Sequence, residues 1–365
     1  MQRVGIGIIG CGNISDAYLK AAPKFPVLEI IGVADINMAA AEAKASAYSV
    51  SAMTIDALLS DPRIEIVLNL TTPQHHVPVG LQAVAHGKHV YSEKPLATTL
   101  ADAERLVTAA SEKGVRVGCA PDTFLGGSHQ TARRIVDAGT IGTVVAGAAF
   151  MQVPGHELWH PNPDFYYQPG GGPMLDMGPY YLTCLVNPLG PVKSVTGQAK
   201  ASYPTRTIGS GPREGQTVQV EVPTHISGLL DFESGAAISI TTSFDVWKHE
   251  HNHIELYGTA GSMIVSDPNQ FEGEIRTSRH KGDWTVADQV HSYGDGNYRI
   301  LGLADMAQAI VSKREHRANH SLSLHVLEIM ESIIRSAETG TRIDLKHSCP
   351  RPAPMRADLP FGILE

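Results

Sequence analysis

"VGIGIIGCGNIS", residues 4–15, is the stretch from which the rest of the chain can be read. Val4 to Ile9 is small and apolar with no polar alternation, which suits a strand buried on both faces of a parallel sheet. The chain then turns through Gly10-Cys11-Gly12-Asn13-Ile14-Ser15 into "DAYLKAAPKF", whose apolar residues have helical spacing. This is G-x-G-x-x-G with serine in the third place. The first two glycines permit a tight turn and let a phosphate approach the helix N-terminus, where free N–H groups point outward. The third position normally eases helix–strand packing, and serine is the next smallest polar choice.

A second apolar run, "LEIIGVAD", ends at Asp35, 23 residues beyond Gly12. An acid about 20 residues past the turn accepts hydrogen bonds from a ribose in a dinucleotide-binding Rossmann fold. No arginine follows in "DINMAA" to receive a 2′-phosphate, so NAD is favoured over NADP. Gly10, Gly12, Asn13, Ile14 and Asp35 are the first cofactor-binding candidates. Downstream, "TIDALLSD", "VPVGLQAVAHG" and "TLADAERLVTAASEKG" read as helices, alternating with strands in "IEIVLNLTTP", "KHVYSEKP" and "VRVGCAP". That alternation predicts an α/β, doubly wound parallel sheet, with "TTPQHH" and "SEKP" at the ligand-binding carboxyl edge.

The chain has 365 residues, so two domains are expected: a Rossmann domain over 1–123, and a substrate-binding and oligomerisation domain over 124–365. A formal charge of −8 argues against nucleic acid. No run reaches the roughly 20 apolar residues of a membrane span, and nothing near the N-terminus has the form of a signal peptide. The four cysteines, Cys11, Cys119, Cys184 and Cys349, show no disulfide or metal-binding spacing, which fits a reducing, cytoplasmic setting.

Glycine turn, Asp35, Thr72-Pro73 with His75 and His76, and above all Glu93-Lys94-Pro95 form one constellation. It resembles the Gfo/Idh/MocA oxidoreductases, the family of glucose–fructose oxidoreductase and inositol dehydrogenase, and "AVAHGKHVYSEKPLATTLADAERLV" is similar to the family pattern throughout. The resemblance implies an N-terminal Rossmann domain, a C-terminal α/β domain built on a large open, mostly antiparallel sheet, and NAD(P)-dependent oxidation of a sugar or cyclitol hydroxyl. Thr72, Pro73, His76, Glu93 and Lys94 join the cofactor-binding candidates. Removing hydride from a secondary alcohol needs a group to take the hydroxyl proton and a donor near the developing carbonyl. Lys94, at a strand end beside a rigid proline, suits that task, and Glu93 would orient it or line the nicotinamide pocket.

The family's second catalytic element reads D-x-G-x-H. Here it is Asp176-Met177-Gly178-Pro179-Tyr180, with tyrosine in the histidine's place. A phenol has a reference pKa near 10 against about 6.5 for imidazole, so Tyr180 serves as base only if Lys94 and NAD strongly lower its pKa. Otherwise, and in the preferred reading, Lys94 is the proton acceptor and Tyr180 bonds the same oxygen. Asp176 then holds another substrate hydroxyl or anchors Lys94; alternatively it caps a helix "GPYYLTCLV". Catalytic candidates are Lys94, Tyr180 and Asp176; substrate-binding candidates are these three with Asp122 and His160. Many relatives carry asparagine and arginines where this chain has Pro121, Asp122 and Thr123, which argues for a neutral polyol over a sugar phosphate or uronate. His160 lies in the aromatic, proline-rich "WHPNPDFYYQPGGG", whose Trp159 and Tyr166 are further pocket candidates.

From about residue 124 several runs alternate apolar and polar residues, as an antiparallel sheet with one covered face should. The other face needs cover, and the resemblance implies that it makes a homodimer or homotetramer. His249, His251 and His253 alternate as on one face of a strand, but would spread over about 13 Å, so no metal is expected. The leading function is an NAD-dependent dehydrogenase acting on a secondary or anomeric hydroxyl of a neutral sugar, glycoside or cyclitol. The alternatives are an NAD-dependent glycosidase acting by transient oxidation and a non-catalytic NAD-sensing regulator.

Overall fold

The computed structural model describes residues 2–279 and 282–365. Its chain forms two compact units: 1–127 with 290–324 and 352–365, and 128–289 with 325–351. A single cut after residue 123 leaves out the two later returns of the chain to the first unit.

In the first unit six strands, β1 (Val4–Ile9), β2 (Leu28–Ala34), β3 (Ser51–Met53), β4 (Ile66–Asn69), β5 (His89–Ser92) and β6 (Val117–Cys119), pair in the order β3-β2-β1-β4-β5-β6. Every pairing is parallel. All six residues of β1 are buried, as its uninterrupted apolar run requires. Five helices, α1 (Ser15–Ala21), α2 (Met38–Tyr48), α3 (Ile55–Ser60), α4 (Pro73–Ala85) and α5 (Leu100–Lys113), make the connections. Their starts follow local chemistry: Thr54 and Thr99 accept from backbone N–H groups as N-caps, and Pro73 occupies the first turn of α4. The strand order reverses between β1 and β4, and a doubly wound sheet takes its ligand at that switch point.

The second unit opens with α6 (Gly127–Asp137), which starts at the unit boundary, and β7 (Val144–Gln152). α7 (Gly172–Leu189) precedes β8 (Val192–Lys200), the small hairpin β9 (Thr205–Thr207) and β10 (Thr217–Gln219), and β11 (His225–Phe232). Then come β12 (Ala237–Ser243), β13 (Ile254–Gly258), β14 (Gly261–Val265), β15 (Arg276–Arg279) and β16 (Thr285–Val286). The chain returns to the first unit for α8 (Leu301–Val311), and α9 (His320–Thr339) leads back to β17 (Ile343–Asp344). The nine-stranded sheet runs β16-β15-β14-β13-β7-β12-β11-β8-β17. It is mixed and mostly antiparallel, with β7 and β12 parallel. The inward residues Ile226, Leu230, Ile238, Ile240, Ala149 and Leu256 are buried, and Ile333 of α9 lies against Gly197 and Gly228 on this face. Leu229 and Tyr257 on the opposite face are exposed.

Two local expectations are corrected. Asp176 does not cap a helix: "GGGPMLDMGPYYL" holds two Gly-Pro pairs, and the helix starts at the first. Gly171 is the N-cap and Pro173 lies in the first turn, where its missing N–H costs nothing, so Asp176 lies inside α7. Residues 249, 251 and 253 precede β13 instead of lying on a strand. There His251 stacks on Phe150 with centroids 4.1 Å apart, and His253 Nδ1 lies 2.8 Å from the Tyr181 hydroxyl.

Candidate functional site

In the first unit the candidates gather at the carboxyl edge of the parallel sheet. Gly10 follows β1 with φ +106°, and a Cβ there would stand 2.6 Å from the Leu70 carbonyl, so only glycine fits. A Cβ on Gly12 would meet nothing within 4 Å, so this glycine borders open space at the start of α1. Asp35 sits just past β2; its Oδ2 accepts from Cys11 N at 2.8 Å and its Oδ1 from Asn37 N at 2.9 Å. The acid is thereby fixed beside the glycine turn. Open space beside the glycine turn and a carboxylate at the neighbouring strand end fit the pyrophosphate and ribose of a dinucleotide.

Glu93 and Lys94 follow β5. The Glu93 carboxylate is tied on both oxygens: Tyr18 donates to Oε1 at 2.7 Å, and Lys94 N donates to Oε2 at 2.9 Å. Glu93 thus holds the Lys94 backbone, while Lys94 itself keeps partial exposure. Thr72 is the N-cap position of α4, and its hydroxyl lies 2.9 Å from His75 Nδ1. His76, expected at the cofactor, has no exposed surface. Its Nδ1 lies 2.7 Å from Pro95 O and its Nε2 3.0 Å from Thr71 O. It is a strut between the loops after β4 and β5, and burial lowers its pKa. Asn69, which no sequence motif marks, makes a second tie: Nδ2 donates to His76 O, and Oδ1 accepts from the Thr71 hydroxyl.

Asp122, expected to face a polyol, is 1% exposed. Its Oδ2 accepts from the backbone N–H of Ile300 and of Gly302, each at 3.0 Å. It serves the entrance to α8 instead. Burial raises its pKa to about 6, against the lowering effect of those two bonds.

In the second unit Asp176 and Tyr180 stand four residues apart on α7 and so share a face. Asp176 is partly exposed and Tyr180 is buried. The nearest histidine partner is not His160. His156, in the loop after β7, places Nε2 3.0 Å from Asp176 Oδ2. His160 sits among Trp159, Phe165 and Tyr166, with ring centroids 5.4–5.6 Å away, and burial lowers its pKa. Sequence spacing could not separate the two, because "HELWH" offers a pair four residues apart and only the fold decides which one faces α7. His156 is itself ringed by Trp159, Tyr166 and Phe244 at 4.5–5.2 Å. A carboxylate bonded to imidazole beneath aromatic rings can accept from hydroxyls while the rings pack on C–H faces. Among the described residues no three His, Cys, Asp or Glu side chains group as metal ligands, and no helix is long and apolar enough to cross a membrane.

Residues 4–120 match the model of an oxidoreductase family with an NAD-binding Rossmann fold, and residues 129–264 match the GFO/IDH/MocA C-terminal domain. The chain is 32% identical to dTDP-3,4-didehydro-2,6-dideoxy-alpha-D-glucose 3-reductase of Streptomyces violaceoruber, over 86% of this chain and 84% of the reductase. It is 23% identical to levoglucosan dehydrogenase of Pseudarthrobacter phenanthrenivorans, over 94% of this chain and 99% of that enzyme. The solved structure of a levoglucosan dehydrogenase in complex with NADH and L-sorbose has a TM-score of 0.80 at 20% identity, covering 94% and 99% of the two chains. At that identity the structural likeness speaks for the fold.

Proposed function

We propose that this chain, which belongs to the Gfo/Idh/MocA oxidoreductase family, uses NAD to oxidise a secondary or anomeric hydroxyl of a neutral sugar, glycoside or cyclitol. The observation that carries the reading is Asp176: a partly exposed carboxylate one helical turn before Tyr180, bonded to His156 and bordered by aromatic rings. A relative named as a dehydrogenase of levoglucosan, a neutral anhydrosugar, supports it.

NAD bound at the glycine turn supplies the hydride acceptor. Gly10, Gly12, Asn13 and Ile14 would hold its pyrophosphate and Asp35 its adenosine ribose, and Thr72, Pro73 and Glu93 would border the rest. Ile36, which follows Asp35, is 97% exposed and apolar. A 2′-phosphate would find no cation on that side chain, which supports NAD over NADP. In this reading Lys94 is the group that takes the proton of the reacting hydroxyl, and on α7 of the second unit Tyr180 donates to, and Asp176 accepts from, substrate oxygens. His160 contributes to the aromatic rim.

The outer face of the nine-stranded sheet, with Leu229 and Tyr257 exposed, supports a homodimer or homotetramer, which light scattering coupled to gel filtration would measure. The activity is tested by following NADH absorbance with free sugars, inositols and methyl glycosides, each with NAD and with NADP. NADH should accumulate with at least one neutral substrate. Glycoside cleavage without net NADH would point to the glycosidase chemistry instead, and preference for sugar phosphates or for NADP would overturn the corresponding part of the reading.

A further inference from the structure

We propose that Arg206, on the β9–β10 hairpin, is a positioning residue for the candidate site, acting through His156 on Asp176. The inference rests on the reading of Asp176 as a substrate-binding carboxylate, and it adds a residue that sequence patterns did not single out.

Arg206 is 9% exposed and sits between two carboxylates. Nη1 donates to Glu157 Oε1 at 3.2 Å and Nη2 to Asp245 Oδ1. Nη1 also reaches Pro154 O at 3.4 Å, and Nη2 reaches Phe244 O at 3.1 Å. The two acids are held from their far sides as well. The Tyr167 hydroxyl donates to Glu157 Oε2, and the Thr224 hydroxyl donates to Asp245 Oδ2 at 2.8 Å. Gly155 has φ +113°, and a Cβ there would run into the Glu157 carboxylate, so glycine lets the loop fold over this acid.

His156 lies where the two held segments meet. On one side it is the sequence neighbour of Glu157. On the other its ring packs on Phe244, centroids 4.6 Å apart, and Phe244 is the neighbour of Asp245. One guanidinium therefore fixes both the loop that carries the imidazole and the ring against which it rests. Buried Arg–carboxylate geometry of this kind is directional, so lysine can replace the charge without the fork. Removing the cation leaves two buried carboxylates facing each other, which repel. Removing the cation frees His156 from its 3.0 Å contact with Asp176, and lysine loosens that contact in part.

The test uses the full chain with NADH bound and does not depend on a known substrate. Histidine side-chain 15N spectra are recorded for wild type, Arg206→Met, Arg206→Lys and Glu157→Gln, with His156→Asn to assign the signal. Asp176→Asn identifies the contribution of the carboxylate bond to that signal. Arg206→Met should move the His156 resonances to the positions seen in Asp176→Asn, while Arg206→Lys moves them part of the way. With the most reactive sugar of the panel, kcat should fall at least tenfold in Arg206→Met, with NADH affinity unchanged. If Arg206→Met does not fold, Glu157→Gln decides by the same spectra. Wild-type His156 resonances in a folded Arg206→Met or, failing that, in Glu157→Gln would overturn the proposal. So would a lowered melting temperature with those resonances unmoved, the mark of a purely structural ion pair. Wild-type turnover in Asp176→Asn would instead sink the reading of the site, while the spectra still report whether Arg206 positions His156.

Discussion

The hydroxyl of Tyr18, on α1, donates to Oε1 of Glu93 at 2.7 Å, and the other oxygen of Glu93 accepts from the backbone N–H of Lys94. The first helix after the glycine turn is thereby tied to the loop that carries the proposed proton acceptor. Tyr18 is fully buried, and burial beside Glu93 raises its pKa well above the ordinary phenol value, so it remains a donor. Tyr18→Phe should cost about 1–3 kcal/mol, since it leaves a buried charged acceptor without its donor. Urea unfolding measures that loss, and kcat should fall more than NADH affinity does.

Lys94→Met should lower kcat by roughly 10²–10⁴, the usual contribution of a positioned acid–base group. NADH binding, followed by fluorescence, should persist. Turnover near the wild-type level with cofactor bound would remove Lys94 from the chemistry.

Asp35→Ala should weaken NADH binding about 10- to 100-fold, the equivalent of a hydrogen bond to a charged group. Asp35→Ser combined with Ile36→Arg should move the preference toward NADP by supplying a cation for the 2′-phosphate. Fluorescence titration with both cofactors checks each variant.

His156→Asn and His160→Asn separate two histidines that the sequence cannot rank. The first removes the partner of Asp176 Oδ2 and should lower kcat/KM about tenfold or more. The second leaves that bond in place and should change kcat/KM less than about threefold. A loss of less than about threefold in His156→Asn as well would show that the 3.0 Å contact is idle.

Asp122 makes stability depend on pH in a stated direction. Its folded pKa is raised from 3.8 to about 6, so the folded state holds the proton more tightly than the unfolded chain. Stability from this group is present below about pH 4 and is lost as pH rises toward 6, by about 3 kcal/mol in all. Asp122→Asn removes that loss. The difference in melting temperature, variant minus wild type, should therefore climb between pH 4 and 6 and then level off. A flat difference would contradict the assignment.

The Rossmann half was legible because its signals are local. A glycine turn, an apolar strand and an acid at a strand end each follow from backbone sterics and hydrogen-bonding needs within a few residues. The alternation of strands and helices then leaves few topologies open. The strand order β3-β2-β1-β4-β5-β6 matches that expectation. In the second unit, alternating patterns marked the strands, but the parallel pairing of β7 with β12 depends on partners far apart in the chain.

Residue type and spacing alone determined that a dinucleotide turn, an acid at its neighbouring strand end and a lysine at another strand end share one sheet edge. They could not determine which of two Gly-Pro pairs starts α7, because both satisfy the same local rule. Packing chose Gly172-Pro173, and so moved Asp176 from a cap to the helix interior. Nor could they tell that Asp122 and His76 turn inward, since a polar residue after a strand can serve solvent or backbone equally well. Only the tertiary structure supplied the unpaired amides and carbonyls that claimed those side chains. The choice of His156 over His160 has the same origin: Glu157, Arg206 and Asp245 meet from three separate segments, and their buried charges fix which imidazole reaches α7.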